Sequence, residues 1–333
     1  MTTIVDNKPV VRMRRLRQSP ALRDLVAETN VSVSDFIQPL FIKAGQGICA
    51  DIATLPGQRH YSVDQLDAPI KALSALGIPA VILFGIPDVK DAEGSAAWQA
   101  DGVIQRAVAR IKQIAPELVV IADLCCCEYT DHGHCGVLTS VAGQCDVDND
   151  ATLLLLQKQA LSLAEAGVDM LAPSGMMDGM VHAVREVLDI NGYQTLPILS
   201  YAVKYASSFY GPFRGATEGS FSGSRVTYQM NPANAERALR EAQLDVDEGA
   251  DMLMVKPAGQ YLDIIHRVKS AFPAMPLAAY QVSGEYAMIK AAAQQGWLDE
   301  PRAVMESLLA IKRAGADCII TYYAEYAAQL LQR

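Results

Sequence analysis

The 333-residue sequence has no apolar run long enough to cross a bilayer. Its longest nearly unbroken one, Ile78 to Pro87, is about half of the roughly 20 residues a spanning helix needs. The first twenty residues hold Arg12, Arg14, Arg15 and Arg17 but no hydrophobic block, so no secretory signal is visible and a cytoplasmic location is expected. Basic charge is scarce. With 28 Lys+Arg against 37 Asp+Glu the net charge is −9, a poor balance for general nucleic-acid binding. No G-x-G-x-x-G follows the first candidate strand, which argues against a dinucleotide-binding open sheet. Seven cysteines, three of them consecutive (Cys125, Cys126, Cys127), do not read as a disulfide framework. Metal binding or reactive thiols in a reducing compartment fit better.

What is present is apolar: 51% of residues are hydrophobic, enough for a large core. Eight short apolar runs recur: Ile37–Ile42, Ala80–Gly85, Leu118–Leu124, Met170–Ser174, Pro197–Tyr201, Met252–Lys256, Leu277–Gln281 and Cys318–Tyr322. They are continuous rather than alternating, as strands covered on both faces are. Helical patterns lie between them, at Thr152–Ala166, Asn234–Asp247, Glu285–Gln295 and Pro301–Ala314, with Pro301 suited to a first helical position. This alternation predicts an α/β fold, a (β/α)8 TIM barrel. Residues 1–35 precede it as an N-terminal extended or helical arm for subunit contacts, and 36–333 form the catalytic barrel.

Three predicted helices end in similar phrases, Ala166-Gly167-Val168-Asp169, Glu248-Gly249-Ala250-Asp251 and Ala314-Gly315-Ala316-Asp317. Each glycine can close its helix in a left-handed conformation. The same offset beyond each reaches Ser174, Lys256 and Tyr322, at the strand ends where barrel enzymes build their sites. A solvated strand end would explain a polar residue there too, but a lysine closing Met252-Leu253-Met254-Val255 is costly without a function.

Cys125-x-Cys127-x7-Cys135 opens a loop over about residues 125–150. Three thiolates can hold one Zn2+ and leave a fourth, catalytic position open; His132 or His134 could instead close the site. Cys126 is expected to point away. Lys204, just past the fifth predicted strand, and Lys256, ending the sixth, should face one cavity. A lysine among apolar groups and beside another cation becomes a nucleophile for carbonyls, although either alone could simply snorkel. The segment of about 205–232 reads as an active-site lid carrying Phe209, Tyr210, Phe213, Arg214, Arg225 and Gln229. Arg214 and Arg225 suit carboxylates, while Tyr280, Ser283 and Tyr322 offer hydroxyl donors. Asp123 could orient an amine or accept a proton. Ser174, Tyr201 and Phe209 complete the candidate substrate contacts. These residues imply a Schiff-base enzyme acting on a small keto acid.

The stretches RRLRQSPALRDLV, CEYTDHGHCGVL, DNDATL, APSGMMDG, SYAVKYASSFYGPFR, YQMNPANAERALRE, GADMLMVKPAGQYLD, AYQVSGEYAMIKAAA and SLLAIKRAGADCIITYY follow one another along nearly the whole chain. Together they resemble the porphobilinogen synthase (delta-aminolevulinic acid dehydratase) family. The resemblance implies a homo-octameric lyase of haem biosynthesis that condenses two 5-aminolevulinate molecules into porphobilinogen with loss of two waters. It implies the principal Schiff base at Lys256 and a second at Lys204. It also implies catalytic zinc on Cys125, Cys127 and Cys135, and allosteric magnesium at Glu241. Arg214, Arg225 and Gln229 match the residues around one substrate carboxylate, and Ser283 and Tyr322 those around the other. Asp131, Gly175, Met180 and Val226 depart from the family pattern. A Schiff-base aldolase on the same barrel is the competing enzyme reading. A non-catalytic zinc scaffold is the competing class, and it leaves both lysines unexplained. No nucleic-acid or membrane partner is expected.

Overall fold

A computed structural model describes residues 11–141, 144–219, 221 and 223–332. Eight parallel strands form the barrel: β1 Phe36–Lys43, β2 Ala80–Ile86, β3 Val119–Leu124, β4 Met170–Pro173, β5 Leu199–Lys204, β6 Met252–Lys256, β7 Leu277–Gln281 and β8 Cys318–Thr321. Their spatial order is β4-β3-β2-β1-β8-β7-β6-β5, and the parallel bridge Leu171–Ile198 joins the two ends. β1, β2 and β5 to β7 are buried almost throughout, which is why they read as unbroken apolar runs.

The repeated phrases punctuate the barrel as expected. Gly167, Gly249 and Gly315 have φ of 86°, 103° and 121°, outside the range favoured by residues with a Cβ. The aspartate two residues on has its own task. Asp169, Asp251 and Asp317 accept the backbone N–H of Val120, Ile198 and Leu277 at 2.8, 2.8 and 2.7 Å. Each thereby ties the base of one strand to the base of the next. Lys112 and Lys269 neutralise two of these carboxylates. Helix Asn149–Glu165 starts at Asp148, whose side chain accepts from Ala151 N–H. Helix Glu300–Ala314 starts at Asp299, so Pro301 occupies the second helical position rather than the first, equally free of a lost hydrogen bond.

Three other sequence expectations shift. Lys204 lies inside β5, not beyond it, because β5 runs from Leu199 to Lys204. Within the loop after β3, Leu138–Val141 pairs antiparallel with Gln144–Val147. The lid segment contains two short helical stretches, Ser208–Tyr210 and Gly211–Ala216, the second started by Pro212. Of the N-terminal segment, residues 1–10 lie outside the described residues. The 3-10 turn Met13–Arg17 and helix Pro20–Leu25 bury no side chain. No helix among the described residues is long and apolar enough to cross a membrane.

Gly167 has open space where a Cβ would sit, so Gly167→Ala should cost only backbone strain, about 1 kcal/mol. Denaturant titration should show a lower midpoint at unchanged slope. An unchanged midpoint would mean that helix closure there needs no left-handed residue.

Candidate active site

β5 and β6 run side by side with Lys204 paired to Lys256 and Val203 to Val255. Side chains alternate along strands, so partners in register point to the same face, here the barrel mouth. Both lysines are buried, at 5% and 7% exposure. The Lys256 amine is ringed by Tyr280, Tyr201, Tyr210 and Phe213, with centroids at 4.1, 5.0, 5.4 and 5.5 Å. Burial first, and the Lys204 charge second, push its pKa down to about 7. Lys204 donates to the Ser174 carbonyl at 2.5 Å, and the Ser174 hydroxyl donates to Asp123 at 3.0 Å. Burial raises the Asp123 carboxyl while both lysines pull it down. Its Oδ1 is buried with no hydrogen-bond partner, as are the Tyr201 hydroxyl and Oε2 of Glu128.

The thiols of Cys125, Cys127 and Cys135 are buried, and their sulfurs lie within 4.8 Å of one another. Cys135 is held well below the ordinary thiol range because Cys125 and Cys127 donate to it, with Arg225 and Lys204 adding positive charge. Three converging sulfurs, one already favouring the thiolate, suit a soft divalent metal. Neither histidine belongs to this group. His132 is half-buried and bonds the Ala92 carbonyl at 3.1 Å, while His134 Nδ1 meets the Tyr228 hydroxyl at 3.1 Å. The open three-ligand arrangement therefore fits the geometry better than a closed one. Cys126 is buried outside the group, and its carbonyl accepts from Tyr129 and Thr130.

One cavity gathers Asp123, Cys127, Ser174, Lys204, Arg214, Arg225, Lys256, Tyr280, Ser283 and Tyr322. Cys125 and Cys135 stand behind Cys127, and the Tyr201 ring lies 5.3 Å from the Lys204 amine. Both lid guanidinia face the Phe221 ring, at 4.6 and 4.7 Å, and each has a buried Nε without a partner. Tyr280 and Tyr322 share a hydrogen bond of 3.1 Å. The Ser283 hydroxyl is engaged by the lid, donating to Phe209 O and accepting from Phe213 N. Phe209 touches the site through that carbonyl and does not line the cavity.

Gln229, expected near a substrate carboxylate, sits elsewhere. Gln229 and Glu241 line a separate polar cavity together with Asp146, Asp178 and Arg237. Glu241 belongs to no close group of three metal-ligand side chains among the described residues. Conversely, Glu128 and Phe84 line the main cavity without having been singled out. An acid directly following Cys127 was the available signal for Glu128. Nothing in a β2 apolar run distinguishes Phe84 from core.

A family model described as delta-aminolevulinic acid dehydratase matches residues 10–330. A delta-aminolevulinic acid dehydratase of Synechocystis is 52% identical, over 97% of this chain and 99% of its own. That of Bacillus subtilis is 51% identical, over 96% and 98%. A crystal structure of the Toxoplasma gondii dehydratase (porphobilinogen synthase), in complex with the reaction product porphobilinogen, superposes with a TM-score of 0.92. It is 42% identical and covers 96% of this chain and 91% of that one. The chain belongs to the delta-aminolevulinic acid dehydratase family and is an enzyme.

The Lys256 environment fixes the sign of a pH effect. Protonated amine is not nucleophilic, so imine formation with a keto acid such as levulinate should fall as pH drops through about 7 and level off above it. Lys204→Ala removes the neighbouring charge and should move the midpoint upward by about one unit, read by the rate of borohydride trapping. A midpoint that stays or moves down would contradict the electrostatic cause.

Proposed function

We propose that this member of the family condenses two 5-aminolevulinate molecules into porphobilinogen with Lys256 and Lys204 as its two nucleophiles. The observation that carries this reading is the in-register lysine pair at one end of a parallel barrel, with Asp123 between them and the serine that bonds it. A lone Schiff-base lysine would serve an aldolase; two buried amines serve two ketones.

The Lys256 amine, about half of it neutral near pH 7, attacks one substrate ketone. Expulsion of water leaves an imine whose protonated form is an electron sink for carbon–carbon bond formation. Lys204, aimed by the Ser174 carbonyl, takes the second ketone. Asp123 Oδ1 is placed to accept the proton that must leave carbon and to return one to the departing hydroxyl, which leaves as water. The guanidinia of Arg214 and Arg225 are assigned to one carboxylate. Ser283 and Tyr322, with Tyr280, are assigned to the other; Ser283 must then release its lid contact when substrate enters. Two tethered substrates react as if intramolecularly, an advantage of roughly 7–11 kcal/mol.

Cys125, Cys127 and Cys135 would hold zinc, whose Lewis acidity can lower the pKa of a substrate amine or oxygen. Glu241 is assigned to allosteric magnesium on the strength of its cavity, which it shares with Asp178 away from the lysines. A homo-octamer is supported by the apolar residues that the N-terminal segment leaves exposed, Val11, Met13, Leu16 and Leu25.

Incubating the protein with 5-aminolevulinate and zinc should yield a pyrrole. Lys256→Ala should abolish both turnover and borohydride trapping, whereas Lys204→Ala should lose turnover and still trap one substrate. Equal trapping loss in both variants would overturn the division of labour. Cys135→Ser should lose bound zinc, measured by atomic absorption, and most activity; chelators should inactivate the parent reversibly. Full activity of verified metal-free protein would contradict the zinc assignment.

A further inference from the structure

Arg214 stands in the last turn of lid helix Gly211–Ala216, only six residues long and unable to hold its own position by helix propensity. The three residues that follow this turn or end it are gripped from the barrel. His60 meets the Ala216 carbonyl at 2.6 Å. Lys90, in the loop after β2, donates to the carbonyls of Thr217 and Glu218 at 2.9 and 3.4 Å. Lys43, ending β1, pairs with the Glu218 carboxylate at 2.5 Å. Cations belong at a helix C-terminus, where carbonyls lack partners. Glu218 has φ of 50°, the left-handed region that side chains other than glycine rarely adopt. Such strain persists where surrounding contacts over-determine it.

Of these three side chains, Lys90 alone reaches two carbonyls of the turn that leaves the helix, so it fixes the chain's direction as well as its place. It is half-buried and does not line the reaction cavity. Glu128 and Cys127 on the cysteine loop are near enough to act on its charge. The opposite end of the helix is tied through Phe213 N–H to Ser283 and through Phe213 to Phe84, ring centroids 5.1 Å apart. With both ends held, the Arg214 guanidinium has a defined reach into the cavity.

We propose that Lys90 is a positioning residue for catalysis: by clasping the end of the lid helix to the barrel, it sets Arg214 at the distance needed to bind a substrate carboxylate. It touches no substrate and acts through Arg214. The inference rests on the assignment of Arg214 to a carboxylate made above, and it can fail while that assignment stands.

The test is a double-mutant cycle on the full-length, zinc-loaded enzyme. Lys90→Met keeps the length of the side chain and removes its donors. KM for 5-aminolevulinate should rise about tenfold with a smaller change in kcat, and preference for the free acid over its methyl ester should fall by about the same factor. Lys90→Arg should restore most of both. In an Arg214→Gln background, Lys90→Met should add no further loss. An unchanged KM and ester preference in Lys90→Met, or an equal loss in both backgrounds, would overturn the inference. An Arg214→Gln enzyme that keeps its ester preference would overturn the carboxylate assignment and this inference together. Should Lys90→Met fail to fold, Lys90→Gln, which retains a donor but shortens the reach, is read against the same outcomes.

Discussion

Two amines buried side by side repel, and the rest of this site can be understood as the response to that repulsion. Strand neighbours lie about 4.8 Å apart, where two unit charges in a protein of effective dielectric near 20 oppose each other by roughly 3 kcal/mol. Lowering a lysine pKa from 10.5 to about 7 corresponds to about 5 kcal/mol, to which burial contributes most and the Lys204 charge next. The barrel does not remove the repulsion; it lowers the pKa of one amine to about 7, so that part of it is neutral near that pH. Lys256, held among four aromatic rings, gives up its proton, and the neutral amine is what a ketone requires.

The same constraint explains the company the lysines keep. Full burial disfavours the Asp123 carboxylate, and the two lysines beside it offset part of that cost. The thiolate tendency of Cys135 draws on Lys204 and Arg225 as well as on its sister cysteines. Charges of both signs are thus buried together, and each is bearable because the others are present. Several polar atoms still lack partners, among them Asp123 Oδ1 and the Nε atoms of Arg214 and Arg225. In a folded protein such atoms are exceptions, and these cluster in or beside the cavity where substrate carboxylates, amines and ketones would meet them.

The lid shows how a weak local sequence is held by distant residues. Gly211–Ala216 is too short and too glycine-rich to persist alone. Its aromatic residue packs on β1 and β2 through Phe41 and Phe84, and its end is held by Lys43, His60 and Lys90. None of those three side chains has any feature of sequence that points to residue 216 or 218. Their pairing spans more than a hundred residues, and no local pattern reports it.

The sequence by itself determined the architecture and the chemistry. Continuous apolar runs, helix-closing glycines and the offset to Ser174, Lys256 and Tyr322 are local signals, because strand burial and left-handed turns depend on neighbouring residues. The cysteine spacing and the two lysines named a metal and an imine for the same reason. The boundary of β5 was misjudged, since Ala202 to Lys204 read as a strand exit until pairing with β6 extends it. Glu128 has no local signal beyond following Cys127, and Gln229, matched by resemblance to a substrate carboxylate, lines a separate cavity with Glu241. Only the tertiary structure decided which side chains share one dry space, whether a histidine joins the cysteines, and which amine loses its proton. Those outcomes depend on distances between strands and on exclusion of water, and neither exists until the barrel has closed.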